Sequence, residues 1–299
     1  MIDFIRKMRK CPGSAVNAID GLSSGIPDHF ASIYSKLYNS IDEKEKLCDL
    51  LDVINRSISD QNIAEIREVT PEIVEKATRR LKTKKSDPLL QFNSDCLINA
   101  PKVLFDQLSL VFQSFLFHGH VTDMLLMSSL VPLVKDKLGN ICSSENYRSI
   151  AISSLILKIF DWVLIILSGD KLQLDDLQFG YQESCSTNMC TWLAVETIDH
   201  FMRNGSDVFV CVMDMKKAFD TVQHSVLFQK LLDRGFPCTY VRLLMVMYGR
   251  QYANVKWNGN TSANFPIKNG VKQGAVLSAI LFCIYINDLF NVLRRKMSG

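Results

Sequence analysis

The stretch VFVCVMDMKKAFDTV, residues 208–222, sets a carboxylate, Asp214, after six apolar or thiol side chains and a second, Asp220, six positions later. The run before Asp214 predicts a fully buried strand, with the charge standing at its tip. Three chemistries fit an aspartate there: a helix or turn cap, a phosphoryl acceptor, or a ligand for Mg²⁺, which takes a carboxylate or two together with substrate phosphates and keeps several waters. A phosphatase-type acceptor wants another aspartate two residues on, where this chain has Lys216. Asp220 and Gln223 have the spacing of a capping box, so Asp220 is expected to cap the helix HSVLFQKLLDRG that stops at Gly235.

The 299 residues are 47% hydrophobic with a net charge of +3, enough apolar material for one large or two ordinary globular domains and too little charge to name a partner. The longest apolar run, IFDWVLIIL at 159–167, contains Asp161 and is about half the length a membrane-crossing helix needs, so it predicts a core helix and no membrane partner. The start, MIDFIRKMRKCPG, has basic residues without the apolar stretch of a secretory signal behind them, which predicts an intracellular setting, nucleus or cytoplasm. Nine cysteines lie scattered with no CxxC pair, as reduced thiols rather than zinc ligands do. Lys76, Arg79, Arg80, Lys82, Lys84 and Lys85 fall within ten residues, either a solvated helix face or a surface that tracks phosphates.

Residues 12–27 are rich in Gly, Ser and Pro and predict a linker, and HFASIYSKLY after them carries Phe30, Ile33, Leu37 and Tyr38 at helical spacing. Thr70-Pro71 predicts a capped helix start leading into EIVEKATRRLKTKK, and VLFDQLSLVFQSFLFHG predicts a helix ending at Gly119. SSLVPLVKD and ENYRSIAI read as two strands of a hairpin with Gly139-Asn140 near its turn, and YANVKW with NTSANFPI as a second hairpin around Asn258-Gly259. Helices are expected over STNMCTWLAVETIDHFMRNG, YVRLLMVMYG and VLSAILFCIYINDLFNVL, the last with Leu277, Leu281, Ile284 and Leu289 on one face. Helices interleaved with hairpins predict an α+β fold. In GVKQGAVLSAILF, residues 270–282, two glycines flank Gln273 at a loop-to-helix junction where backbone can approach a nucleotide closely.

LVPLVKD with ENYRSIAISSLILKIFD, then LQFGYQESCST, then VMDMKKAFDTV, then NGVKQGAVLSAILFCIYINDL, in that order over about residues 128–290, resembles the reverse transcriptase of non-LTR (LINE-type) retrotransposons. VTPEIVEKATRRLKTKKSD is similar to that family's leading segment and HFASIYSKLYNS to the stretch joining its endonuclease to the polymerase. The resemblance implies a right-hand polymerase: a linker and connecting helical segment over 1–65, fingers over 66–205 and a partial palm over 206–299. It implies copying of an RNA template from a DNA primer with deoxynucleoside triphosphates, through a pair of Mg²⁺ ions (Mn²⁺ as substitute) about 3.5–4 Å apart. In that scheme Asp214 is a catalytic metal ligand, Met215 offers its carbonyl nearby, and Phe219 holds the aromatic position that excludes a ribose 2′-hydroxyl, with plain core packing as the other role open to it. Lys135 and Arg148 fall where fingers cations meet the triphosphate, and Gln273 and Gly274 where the nucleotide and template pocket is lined; Asp220 also belongs to the family pattern, as a helix cap first and a catalytic residue second.

Some positions depart from the family pattern. Ser149 and Ala279 stand where proline is common and are expected to loosen turns, and QESCST lacks the basic, glycine-containing run usual there. Family members continue into a hairpin bearing an aromatic-Ala-Asp-Asp block and a thumb, and no Asp-Asp pair lies downstream of Gln273; Asp175-Asp176 comes too early in the order. On this basis the chain is expected to hold half of the metal site and to show little or no activity by itself. The alternative is a non-catalytic nucleic-acid-binding remnant.

Overall fold

The computed structural model describes residues 18–60, 67–88, 90, 92–182 and 184–297, so the basic start, the first part of the expected linker and Glu183 lie outside the described residues. Helix α1 (Ile26–Tyr38) begins inside the stretch expected to be linker, because Pro27 sits in the first turn, where its missing N–H costs nothing. It buries Ile26, Phe30, Ala31, Tyr34 and Tyr38, while Ile33 and Leu37 of the expected stripe are half-buried.

What α1 packs on is a mixed sheet. β1 (Met127–Val134) and β2 (Tyr147–Ser153) form the first expected hairpin, antiparallel with Leu130 opposite Ala151 and Val134 opposite Tyr147. β3 (Tyr252–Trp257) runs parallel to β1, Leu130 beside Val255, and pairs antiparallel with the short strands β4 (Asn260–Thr261) and β5 (Phe265–Pro266). Asn258 and Gly259 both have positive φ, 45° and 83°, which is why that dipeptide closes the β3–β4 turn. Phe30, Tyr147 and Trp257 meet at ring-centroid distances of 5.3–5.6 Å between α1 and the sheet.

The larger core is helical. It joins α2 (Lys44–Asp60), α3 (Pro71–Arg79), α5 (Lys102–His118), α7 (Leu155–Ser168), α9 (His224–Asp233), α10 (Cys238–Gly249) and α11 (Val276–Ile286), with the short α4 (Ser94–Ile98) and α6 (Asp123–Leu126) at its edge. Thr70 caps α3 as expected, accepting from the Ile73 N–H, but the helix stops at Arg79 rather than running on through the lysines. α5 ends at Gly119 in the left-handed conformation, φ 63°. The apolar run with Asp161 is α7, whose Phe160 lies 5.0 Å from Phe112 of α5. The last expected helix breaks at Asn287, so α12 (Asp288–Met297) points Leu289 outward at 43% exposure while Leu277, Leu281 and Ile284 stay in the core. Val276–Arg294, spanning both helices, is long and apolar enough to cross a membrane, yet its α11 part is packed against α7 and α9.

The expected buried strand before Asp214 is not one. α8 (Thr187–Arg203) has no buried residue, and the chain after it, residues 206–215, has no regular secondary structure and belongs to no sheet. Phe209 is 94% exposed and Val212 88%. A strand is held by a neighbour that takes its N–H and C=O groups, and residues 207–215 make no such backbone bond to another segment among the described residues.

Candidate active site

Asp220 is the hub of the site, although its sequence spacing marks it as a helix cap. α9 starts after Gln223 with no side-chain cap of its own; Glu43, at the start of α2, reaches across instead and accepts from the His224 N–H at 2.7 Å and the Ser225 hydroxyl at 2.5 Å. Asp220 turns inward, 5% exposed, and accepts from the Tyr38 hydroxyl at 2.9 Å and from the Gln273 amide nitrogen at 3.2 and 3.3 Å. Burial raises its carboxyl above the ordinary value, while the bonds from Tyr38 and Gln273 and the charges of Lys217 and Lys135 pull it back down.

Gln273 sits on a loop fixed from both sides. Its carbonyl accepts the Ala151 N–H of β2 at 2.7 Å, and Gly274 follows at φ 102°, where a Cβ would lie 3.0 Å from the Ala151 carbonyl oxygen. Upstream, the Gly270 N–H donates to Val222 O at 2.8 Å and the Val271 N–H to Phe219 O at 2.7 Å. Gly270 has φ 83°, and a Cβ there would meet the Asp220 carbonyl oxygen at 2.7 Å and its Cα at 2.9 Å. Gly270→Ala is therefore expected to cost about 3 kcal/mol, positive φ adding to backbone displacement. Gly259→Ala, with positive φ and nothing within 4 Å, is expected to cost only about 1 kcal/mol. Urea melts of the two variants check the difference.

Behind the loop lies a buried pair, of which the sequence reading placed Asp161 in the core and left Lys272 unread. Lys272, 3% exposed, donates to Leu126 O at 3.1 Å and to the Ser128 hydroxyl at 2.6 Å. Asp161, 5% exposed, accepts the N–H groups of Leu277 and Val276 at the start of α11. Both line a small cavity with Tyr248, Gln251 and Ser278, about 20 Å³, room for a single water. The Gln251 side-chain oxygen is buried there without a partner. Burial pushes Asp161 up to about 7 and Lys272 down to about 8, each partly offset by the other's charge. One charge inside an apolar run, and one between Val271 and Gln273, were the available signs of this pair.

The other expected site residues divide. Lys135 and Arg148 stand exposed on the β1–β2 hairpin, and the Lys135 ammonium donates to Glu145 O at 2.7 Å. Phe219 is half-buried and stacks on Phe282 of α11, centroids 4.5 Å apart, with Tyr181 at 6.0 Å. Ser149 is in β2 opposite Pro132, not in a turn, and Ala279 lies within α11, so neither departure loosens a turn. Asp214 and Met215 are exposed, and Asp214 makes no hydrogen bond among the described residues. Its carboxylate, open to water, fits a single ligand of a hard cation that keeps its waters. No group of three acidic, His or Cys side chains gathers among the described residues, so those residues do not by themselves assemble a two-metal set.

Residues 135–298 match the family model described as reverse transcriptase (RNA-dependent DNA polymerase). The chain is 30% identical over 106 residues to a Pol polyprotein of retrotransposable element R2 from Popillia japonica, covering 34% of this chain and 18% of that protein. It is 24% identical over 157 residues to the Pol polyprotein of element R2DM from Drosophila melanogaster, 52% of this chain and 15% of that one. With the RNA-directed DNA polymerase of mobile element jockey from Drosophila funebris it shares 25% over 233 residues, 75% of this chain and 25% of the relative. The chain thus spans a quarter or less of each of these three. Because the family match takes in more than half of the residues and carries the Asp220–Gln273 hub within it, this chain belongs to the reverse transcriptases of non-LTR retrotransposons.

Proposed function

We propose that the protein carries an RNA-directed DNA polymerase domain, with residues 1–65 as a connecting helical segment, residues 66–205 as fingers and residues 206–299 as a partial palm. The observation that carries this is the family match over 135–298, inside which Lys135, Arg148, Asp214, Met215, Phe219, Gln273 and Gly274 all fall. Lys135 and Arg148 supply cations toward a triphosphate, Arg148 through a bidentate fork and Lys135 as a point charge. Phe219 lies against the sugar, and Gln273 with Gly274 lines the base. Asp214 and the Met215 carbonyl would hold Mg²⁺, which on binding stabilises the charge that develops as the primer hydroxyl displaces pyrophosphate. Template RNA, DNA primer and deoxynucleoside triphosphates are the proposed partners, in an intracellular setting. Incorporation of labelled deoxynucleotides on a primed RNA template tests this in the polypeptide that carries the domain. Extension that stops on chelating divalent metal is the expected result, and no extension with either Mg²⁺ or Mn²⁺ counts against it.

A second role, RNA binding without synthesis, is favoured by the exposure of Lys76, Arg79, Arg80, Lys82 and Lys84 along α3 and the loop after it. It is distinguished by binding whose salt dependence falls when these residues are neutralised, in the absence of any extension.

A further inference from the structure

The segment ahead of the family-matched region reaches into the site through Tyr38. This residue ends α1, is 1% exposed, and lies nearly a hundred residues before the match begins. A phenol has a single hydrogen, and here it goes to the Asp220 carboxylate; the Ser149 hydroxyl, 3.0 Å from the phenol oxygen, must then donate to it. Asp220 as an ionised acceptor can only be met by donors, so the Gln273 amide turns its nitrogen inward and presents its oxygen away from the carboxylate. A chain of hydrogen bonds thus runs Ser149, Tyr38, Asp220, Gln273, across β2, α1, the turn after Phe219 and the loop before α11.

The same helix end organises the loop. The Leu37 carbonyl accepts from the Asn269 side-chain amide at 3.1 Å, and the Tyr38 carbonyl accepts the Lys268 and Asn269 N–H groups at 2.9 and 3.1 Å. Asn269 also donates to the Asp220 carbonyl at 2.8 Å and accepts the Ser40 N–H at 3.1 Å. The carbonyls that a helix leaves unpaired at its C-terminus are therefore satisfied by the segment that leads into Gln273, and helix and loop fix each other's place.

We propose that Tyr38, held by Ser149, is a positioning residue that sets the orientation of the Gln273 amide through Asp220, making α1 part of the polymerase site rather than a tether. This rests on the assignment of Gln273 to the nucleotide contact. The charged and titratable groups facing Asp220 are Tyr38 and Tyr34 from α1, Lys135 from the end of β1 and Lys217 from its own turn. The Tyr38 bond lowers the Asp220 carboxyl, so its loss must raise it.

Side-chain NMR on the full chain, with Gln273→Glu assigning the amide and Asp220→Asn the carboxyl, reads the chain directly. Tyr38→Phe keeps the ring that fills the core. It is expected to shift the Gln273 side-chain amide resonances and to move the Asp220 titration upward, and Ser149→Ala to do both by less. Nucleotide affinity on a template–primer is expected to fall about three- to tenfold in Tyr38→Phe, the loss of one hydrogen bond. An unmoved Gln273 amide in a folded Tyr38→Phe overturns the positioning role, whatever Gln273 contacts. Shifted resonances with nucleotide affinity unchanged in Gln273→Ala overturn the nucleotide assignment and, with it, the functional part of the proposal.

Discussion

In the polypeptide that carries the whole polymerase domain, replacing Asp214 with asparagine is expected to reduce metal-dependent nucleotide incorporation by about a thousandfold, the equivalent of about 4 kcal/mol at the transition state. Asparagine keeps the shape and removes the charge that a hard cation needs. The substitution should leave the fold alone, because the carboxylate is exposed and makes no hydrogen bond among the described residues. A surface change of this kind stays within about 0.5 kcal/mol of the parent in stability. Rates on a primed RNA template, set beside melting curves and hybrid binding of the same variant, separate the two effects. Undiminished incorporation by Asp214→Asn would remove this aspartate from the chemistry.

Lys272→Met carries the largest expected loss of stability, about 3–5 kcal/mol at neutral pH, because it strands Asp161 as a buried carboxylate without its countercharge. Adding Asp161→Asn should recover much of that, since the amide oxygen can still accept one N–H at the start of α11 while no charge is left to desolvate. The pH dependence has a definite sign. Asp161 is raised in the folded protein to about 7, so between its unfolded value and about 7 the folded state binds more protons and stability falls as pH rises. Lys272 is lowered to about 8, so above that the unfolded state binds more protons and stability rises again. In Lys272→Met the second limb should vanish and the penalty should shrink as the solution is acidified and Asp161 protonates. Urea titrations from pH 5 to 10 on parent, single and double variants measure both limbs, and a double variant no more stable than Lys272→Met would show the pair to be uncoupled.

Local patterns were legible along most of the chain. The Thr70-Pro71 start, the Gly119 stop, the two hairpins with Asn258-Gly259 at a turn, and α5, α8 and α10 follow from spacing, capping and turn chemistry that act within a few residues. The ordered blocks from LVPLVKD to GVKQGAVLS likewise identified the family that the match over 135–298 bears out. What was misread depended on distant partners. Asp220 has the spacing of a cap, but Glu43 had already taken the α9 N-terminus and Tyr38 and Gln273 claimed the carboxylate. The run at 208–213 has the composition of a buried strand and is left in water.

The sequence by itself determined the family and the mixed helix-and-sheet make-up, because these are written in residue order and short-range geometry. Only the tertiary structure decided that Tyr38 at the end of α1 bonds to Asp220, that Asp161 and Lys272 are both buried behind the Gln273 loop, and that the segment before Asp214 pairs with no strand among the described residues. Hydrogen bonds across more than a hundred residues, burial of charge and strand pairing are properties of the neighbour as much as of the residue, and no local pattern names the neighbour.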